Sequence, residues 1–440
     1  MLLRTTAFFA AMAATTPLHA QEMVPATLAG HAAIPANTMT PPPADAPRDM
    51  WISGKFTSGA LRNDTPMSDM RPSGLALPFI GQPFQGISGF AAERTPQGDL
   101  YALIDNGFGS KINSPDAMLS FVVLRPDFET GQIEILDRIW LQDPDRVLPY
   151  HLTLETTDTR YLTGSDFDLE SMQVVGDEIW IGEEFGPFLI RTDLGGRVTG
   201  LFPTLLDGAE LRSPDHPRAR VPAQPGEDFT VPRSGGFEGL ALAPNGNLWA
   251  MIEKPLIAAN GKSEGDFLRV LEFDPSSAEW TGETFKFALT DGAVAIGDFN
   301  FIDDTRALVI ERDGGQGDAS LVCAEGTTEG CFEQPAEVKR ITLIDTAQID
   351  DDGFVARLKQ IDLLNIADPD GLARLETSAD RDMTGQFTFP FVTIESVMRD
   401  GDEHILVGND NNLPFSIGRK LGTADANEMI RLYVPELLAN

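Results

Sequence analysis

The stretch GGFEGLALAPNGNLWAMIEKP, residues 235–255, decides the fold. Two runs of alternating apolar residues flank Asn245-Gly246, a pair suited to a tight hairpin turn, so the stretch reads as two antiparallel strands. A glutamate stands at each end, Glu238 and Glu253. The start of the first strand of a hairpin and the end of its second lie at the same open end, so the two carboxylates share that end.

Four other segments repeat the pattern: GISGFAAERTPQGDLYALIDNG (86–107), DLESMQVVGDEIWIGEEFGP (168–187), IGDFNFIDDTRALVIERDGG (296–315) and TIESVMRDGDEHILVGNDNN (393–412). Each is a polar or acidic residue, a short alternating strand, a turn built from Asp/Asn/Gly, a second strand and then Asp, Glu or Asn. Between them lie further strand-like runs such as MLSFVVLRPD, FLIRTDLGG, FLRVLEFDP and VKRITLIDTA. An inner hairpin with outer strands, repeated, is the signature of a β-propeller, whose radial closure also protects sheet edges. Five copies are visible, and the opening WISGKFTSGAL would combine with the closing MIRLYVPELL in one more. The expectation is an all-β, single-domain β-propeller of about six blades over residues 50–440.

In a propeller the first strand of each blade lies nearest the axis, so the open hairpin ends converge on one mouth of the channel. That mouth would collect Asp105, Asn106, Asp166, Asp168, Glu170, Glu183, Glu184, Glu238, Glu253, Asp298, Glu311, Glu395, Asn409, Asp410 and Asn411. So many carboxylates cannot all stay ionised in one small volume without a counter-charge, and a bound cation is the direct source of one. Oxygen-only donors suit Ca²⁺ better than Zn²⁺. The expected ligands are Asp105, Asp166, Asp168, Glu170, Glu183, Glu238, Glu395, Asn409 and Asp410. In SDFDLES the residues Asp166, Asp168 and Glu170 alternate and share one face of an extended chain. Taken singly, each of these acids has a plainer reading as a strand cap, an ion-pair partner or a solvated surface group. Lys254, Arg312 and Arg419 follow closely on mouth residues and would either pair with the neighbouring acid or bind an anionic substrate.

The wider composition narrows the partners. The chain has 440 residues with 33 Lys+Arg against 67 Asp+Glu, a formal net charge of -34. Such a field repels nucleic acid and anionic membranes and favours cations. MLLRTTAFFAAMAATTPLHA, residues 1–20, reads as a secretory signal peptide, and no later stretch is long and apolar enough to span a bilayer. A secreted or periplasmic monomer is expected. Residues 21–49, rich in Pro and Ala, lack periodicity and read as a disordered tether or an edge wrapping. The only two cysteines, Cys323 and Cys331, are expected to close a small structural disulfide. Of the histidines, His19 falls in the signal, His31 in the tether, His151 and His216 in loops and His404 at a turn, so no histidine zinc site is apparent. There is no G-x-S-x-G elbow, no phosphate loop and no H-E-x-x-H.

LTGSDFDLESMQVVGDEIWIGEEFGPFLIRTDLGGRV, residues 162–198, resembles the signature block of the bacterial family named for the esterase-like activity of phytase, the phytase-like domain proteins. The hairpin at 235–255 and the block at 393–412 are similar to that family's E-[GS]-hydrophobic hairpins and its Asp/Asn-rich final strand end. The likeness runs over about residues 55–435. It implies an exported propeller linked to phosphoester or ester hydrolysis, and Asp166, Asp168, Glu170, Glu183, Glu184, Glu238 and Asp410 match its acidic positions. Leu169 and Ser396 depart from it, where proline and glycine are commoner.

Two function classes follow. The first is a calcium-dependent hydrolase of phosphoesters, carboxyl esters or lactones, with a small anionic or ester substrate. In it Glu184 or Glu253 would act as general base, and Lys254 or Arg312 would stabilise developing negative charge. The second is a non-catalytic exported propeller in which calcium fixes the blades and the rim binds a ligand or protein. The Pro-rich insert 207–236 would form a lid or pack on the rim, and residues 361–391 resemble a short helix and loop.

Overall fold

The computed structural model describes residues 21–57, 59, 61–65, 73–105, 107–219 and 229–439. The expected signal peptide, Asn106 and residues 220–228 of the insert lie outside these. The chain is all-β, and among the described residues it forms five four-stranded antiparallel sheets. The first comprises Ile87–Arg94, Leu100–Ile104, Ser120–Asp127 and Gln132–Trp140, and the second Leu169–Val175, Glu178–Glu183, Phe188–Asp193 and Val198–Pro203. The third comprises Phe237–Leu242, Leu248–Ile252, Phe267–Asp274 and Glu279–Ala288. Ala295–Phe301, Arg306–Arg312, Lys339–Ile349 and Val355–Asp362 make the fourth, and Ile394–Arg399, His404–Asn409, Asn427–Tyr433 and Thr27–Ile34 the fifth.

The first strands of these sheets touch one another in a closed ring, first to second, second to third, and so on until the fifth returns to the first. The arrangement is propeller-like. It corrects the expected count of about six, because the segments assigned to a further blade are used elsewhere. Ile52–Ser53 pairs with the short strand Phe79–Ile80, Ile52 also bridging Gly81, and Asn427–Tyr433 lies inside the fifth sheet between His404–Asn409 and Thr27–Ile34.

The same pairing corrects the disordered tether. Thr27–Ile34 runs antiparallel to Asn427–Tyr433 from Thr27 beside Tyr433 to Ile34 beside Asn427, so the wrapping alternative is the one adopted. The fold therefore already includes Glu22, which pairs with Lys359, and does not start near Met50. Ala33 also pairs with Gln132, which stitches the fifth sheet to the first. Residues 361–391 contain no helix: they follow from the end of strand Val355–Asp362 into the short strands Ile366–Ala367 and Gln386–Phe387.

The core explains why the repeat closes. Apolar side chains gather in wedges between neighbouring sheets, as with Leu103, Phe121, Met172 and Ile181 between the first and second, or Phe285, Phe299 and Val309 between the third and fourth. Each buried Leu, Ile or Phe contributes about 1.5–3 kcal/mol. First strands are buried on both faces, as in Leu169–Val175. Their polar residues are therefore committed to specific partners.

The clearest example plugs the channel. Gln173 Nε2 donates to Leu240 O (2.6 Å) and Asn300 Oδ1 (2.8 Å), while its Oε1 accepts from Ala92 N (3.0 Å). Asn300 Nδ2 donates to Phe90 O (3.2 Å) and Val397 O (3.0 Å). This knot ties together all five first strands and turns the mouth into a cup with a floor.

Candidate active site

All five hairpins carry an irregularity at the same place. The register slips by one residue between Ile87 and Gly89, Leu169 and Ser171, Phe237 and Gly239, Ile296 and Asp298, and Ile394 and Ser396. The extra residue is a β-bulge, a device that re-aims a side chain at a strand end. The bulged residues are Ser88, Glu170, Glu238, Gly297 and Glu395. The second strands supply an equivalent position, one residue beyond the last pair before the slip: Asp105, Glu184, Glu253, Arg312 and Asp410. With Asp168, which precedes the second bulge, these two tiers put eight carboxylates at one end of the ring. Only the fourth sheet inverts the pattern, with glycine in the bulge and arginine on the rim.

Distances confirm the convergence. Carboxylate oxygens of Asp105, Asp168 and Glu170 lie within 4.8 Å of one another, and so do those of Glu184, Glu238 and Glu253. Arg312 Nη2 lies 3.2 Å from Glu238 Oε1, 3.2 Å from Glu253 Oε1 and 3.3 Å from Glu395 Oε1. Lys254 Nζ lies 2.7 Å from Glu253 Oε2 and donates to Ser234 O. Glycines keep the backbones close: a Cβ on Gly86 would stand 2.6 Å from Asp410 Oδ1, and one on Gly236 would stand 2.4 Å from Glu184 Cα.

Five of the site carboxylates resist ionisation. Burial raises the proton affinity of Glu170, Glu184, Glu238, Glu395 and Asp410 well above the ordinary range, and their neighbouring carboxylates push further the same way. Arg312 goes the other way and holds its proton more firmly, because the surrounding glutamates outweigh its own desolvation. The two groups of three carboxylates could each hold a metal ion. The donor set tests well for a hard cation: every donor is a carboxylate oxygen, and Glu184 Oε1 is buried with no hydrogen-bond partner.

Several residues expected at the mouth are placed elsewhere. Asp166 is held by Thr153 and Thr163 through their backbone N–H and hydroxyl groups, beside a cavity of about 300 Å³ also lined by Lys111, Tyr150 and His151. Glu183 accepts from the N–H groups of Phe185, Gly186 and Phe188 at 2.7–2.8 Å and shapes the turn that presents Glu184. Asn409 spans Asp410 O, Ala426 O and Glu428 N, and Asn411 spans Gly86 N and Asp425 O. Asp298 accepts from Phe299 N and Val397 N, and Glu311 is taken by Thr290, Thr342, Arg357 and Gln360. Arg419 lies away from the ring, bidentate on Glu428, which also binds His31. The described part of the insert packs on the rim: Leu211 and Val231 join the wedge around Trp180 and Phe237. Ser88 and Gly297 were not expected, and only comparing the same bulge across all five hairpins would have found them.

Cys323 and Cys331 form the expected disulfide, and no helix among the described residues is long and apolar enough to cross a membrane. No curated protein matches the chain. Among solved structures it is similar to a luciferin-regenerating enzyme at 10% identity over 84% of this chain and 95% of that one, with a TM-score of 0.33. It is also similar to the PQQ-bound aldose sugar dehydrogenase of Streptomyces coelicolor, at 12% identity over 84% and 99% of the two chains and a TM-score of 0.35. A GH43 endo-arabinanase of Bacillus licheniformis matches at 10% identity over 79% and 93%, with a TM-score of 0.35. The family model described as phytase-like, esterase-like activity of phytase, matches residues 82–413, and the chain belongs to that family.

Proposed function

We propose that the protein is an exported hydrolase of phosphoesters or related esters that works over the carboxylate cup and depends on a divalent cation, calcium by donor type. The observation that carries this reading is the double tier of carboxylates from four sheets, gathered at one blind mouth with Arg312 and Lys254 among them. Family membership is consistent with a hydrolase acting on esters. The disulfide supports an oxidising compartment.

Asp105, Asp168 and Glu170 would hold one cation, and Glu184, Glu238 and Glu253 line the second candidate position. When bound, a hard cation at such a mouth polarises a substrate oxygen and favours attack by water. The chain's own groups divide the remaining work. Glu253 is engaged by both cations of the mouth, Arg312 and Lys254. With the cation held by Asp105, Asp168 and Glu170, Glu184 keeps a buried oxygen with no hydrogen-bond partner, and so suits general acid-base work. Lys254 is the cation best placed to meet a developing negative charge, since it is about one-third exposed whereas Arg312 is enclosed by three glutamates. The floor formed by Gln173 and Asn300 requires substrate and product to use the same opening.

The test is hydrolysis by residues 21–440 of phytate, a phosphomonoester, a phosphodiester, a carboxyl ester and a lactone, each with calcium and with chelator. Calcium-dependent turnover is expected, and Glu184→Gln should lower it by about 100-fold or more while the protein stays folded. Turnover of the carboxyl ester or lactone alone would move the substrate class. Calcium-stabilised protein that turns over none of them would leave the binding propeller.

A further inference from the structure

The tiered ring allows one blade to be read against the other four. At the rim position four sheets carry Asp105, Glu184, Glu253 and Asp410, and the fourth carries Arg312. At the bulge the second, third and fifth sheets carry Glu170, Glu238 and Glu395, whereas the fourth has Gly297. The fourth sheet therefore has no carboxylate in either tier and carries a positive charge on the rim instead. A side chain at the bulge is barred outright: a Cβ on Gly297 would lie 1.8 Å from Ile394 O.

The guanidinium sits where carboxylates of neighbouring sheets converge. Its Nη2 alone meets Glu238 and Glu253 of the third sheet and Glu395 of the fifth at 3.2–3.3 Å, while Nε is anchored on Ile296 O at 3.1 Å. Three carboxylates around one positive nitrogen repeat the composition of the two candidate cation groups beside it. Glu238 and Glu253 belong to both the Arg312 cluster and the group containing Glu184, whose buried Oε1 has no hydrogen-bond partner.

We infer that Arg312 is a built-in counter-ion that occupies a cation position of the ring, so that replacing it with a neutral side chain opens an additional divalent-cation site among Glu238, Glu253 and Glu395. This rests on the cation-binding reading of the mouth. It assigns Arg312 to fixing how many cations the ring accepts, a positioning role distinct from contact with substrate. A lysine at 312 retains the charge and keeps the position filled; a methionine or glutamine leaves three buried carboxylates that need a substitute.

The experiment counts calcium bound per chain by elemental analysis after equilibrium dialysis, for residues 21–440 as wild type, Arg312→Met, Arg312→Gln and Arg312→Lys, with melting followed in chelator and in millimolar calcium. The neutral variants are expected to bind one more calcium than wild type, to melt well below it in chelator and to recover most of the difference in calcium. The lysine variant should bind the wild-type number. A wild type that binds calcium alongside folded neutral variants that bind no more overturns this inference and leaves the metal reading intact. A wild type that binds no calcium overturns the metal reading and this inference together. Failure of both neutral variants to fold even in calcium overturns the substitution of cation for guanidinium.

Discussion

Gly297 stands where three other first strands carry a glutamate, and the backbone of Ile394 approaches it too closely for any side chain. Gly297→Ala must push the fourth and fifth first strands apart at the rim, at a cost of about 3 kcal/mol, the upper end of overpacking effects. Gly314 has nothing within 4 Å of a built Cβ, so Gly314→Ala is the matched control and should change stability by less than about 0.5 kcal/mol. Urea midpoints of the two variants test the contrast; equal midpoints would show that the strands have room to spare. At this scale, legibility in the sequence divides cleanly. Glu238 and Glu253 could be read because an acidic residue at a hairpin's open end interrupts its apolar alternation. Asp166 and Glu183 look the same in sequence, yet both are consumed by local N–H donors. That outcome depends on how a loop folds back on itself, which spacing alone does not encode.

Hairpins were legible as elements because Asp, Asn and Gly punctuate their paired strands, and Gly246 of Asn245-Gly246 does turn the third one with φ +90. The bulges were not, because one extra residue leaves plausible alternation on either side of the slip. Nor was the strand Thr27–Ile34. Its sequence TLAGHAAI is rich in Ala and Gly, with little intrinsic preference for β structure, and prolines flank it. Its partner imposes the extended state: Leu28, Ala32 and Ile34 are buried, and its backbone completes the fifth sheet against Asn427–Tyr433. A chain beginning at Met50 would leave that strand as a bare edge above an opened core wedge. Such a truncation is expected to lose its cooperative thermal transition and most of its soluble yield, measured by circular dichroism and gel filtration. A truncated chain that melts like the full one would return these residues to the status of a tether.

The whole ring is closed by the contact between its two chain ends, and a buried ionic clasp lies across that seam. Glu428, on the last strand from the C-terminal side, meets Arg419 in a bidentate pair at 2.7 and 3.0 Å, and His31, on the N-terminal strand, at 2.9 Å. His31 Nδ1 accepts the Arg374 N–H, so Nε2 carries the proton donated to Glu428. Arg419 is further enclosed by the rings of Phe387 and Phe391, 4.9 and 5.0 Å away. Burial alone would raise the proton affinity of Glu428, but Arg419 and His31 outweigh it and bring the carboxyl down to about 2 from 4.5. A folded-state value below the unfolded one means that the clasp's stabilisation is present above about pH 4.5 and is lost as the pH falls towards 2. A depression of that size corresponds to roughly 3 kcal/mol. Other groups also titrate in this window, so the informative quantity is the stability difference between wild type and Glu428→Gln. At neutral pH the variant should be less stable by about 3 kcal/mol, having left Arg419 buried without its anion. Urea unfolding of both proteins at successive pH values should show that gap shrinking below pH 4.5 as wild-type Glu428 takes up the proton. A gap that stays constant down to the acid limit would mean that the seam is held by packing of the N-terminal strand, with the charges contributing nothing to closure.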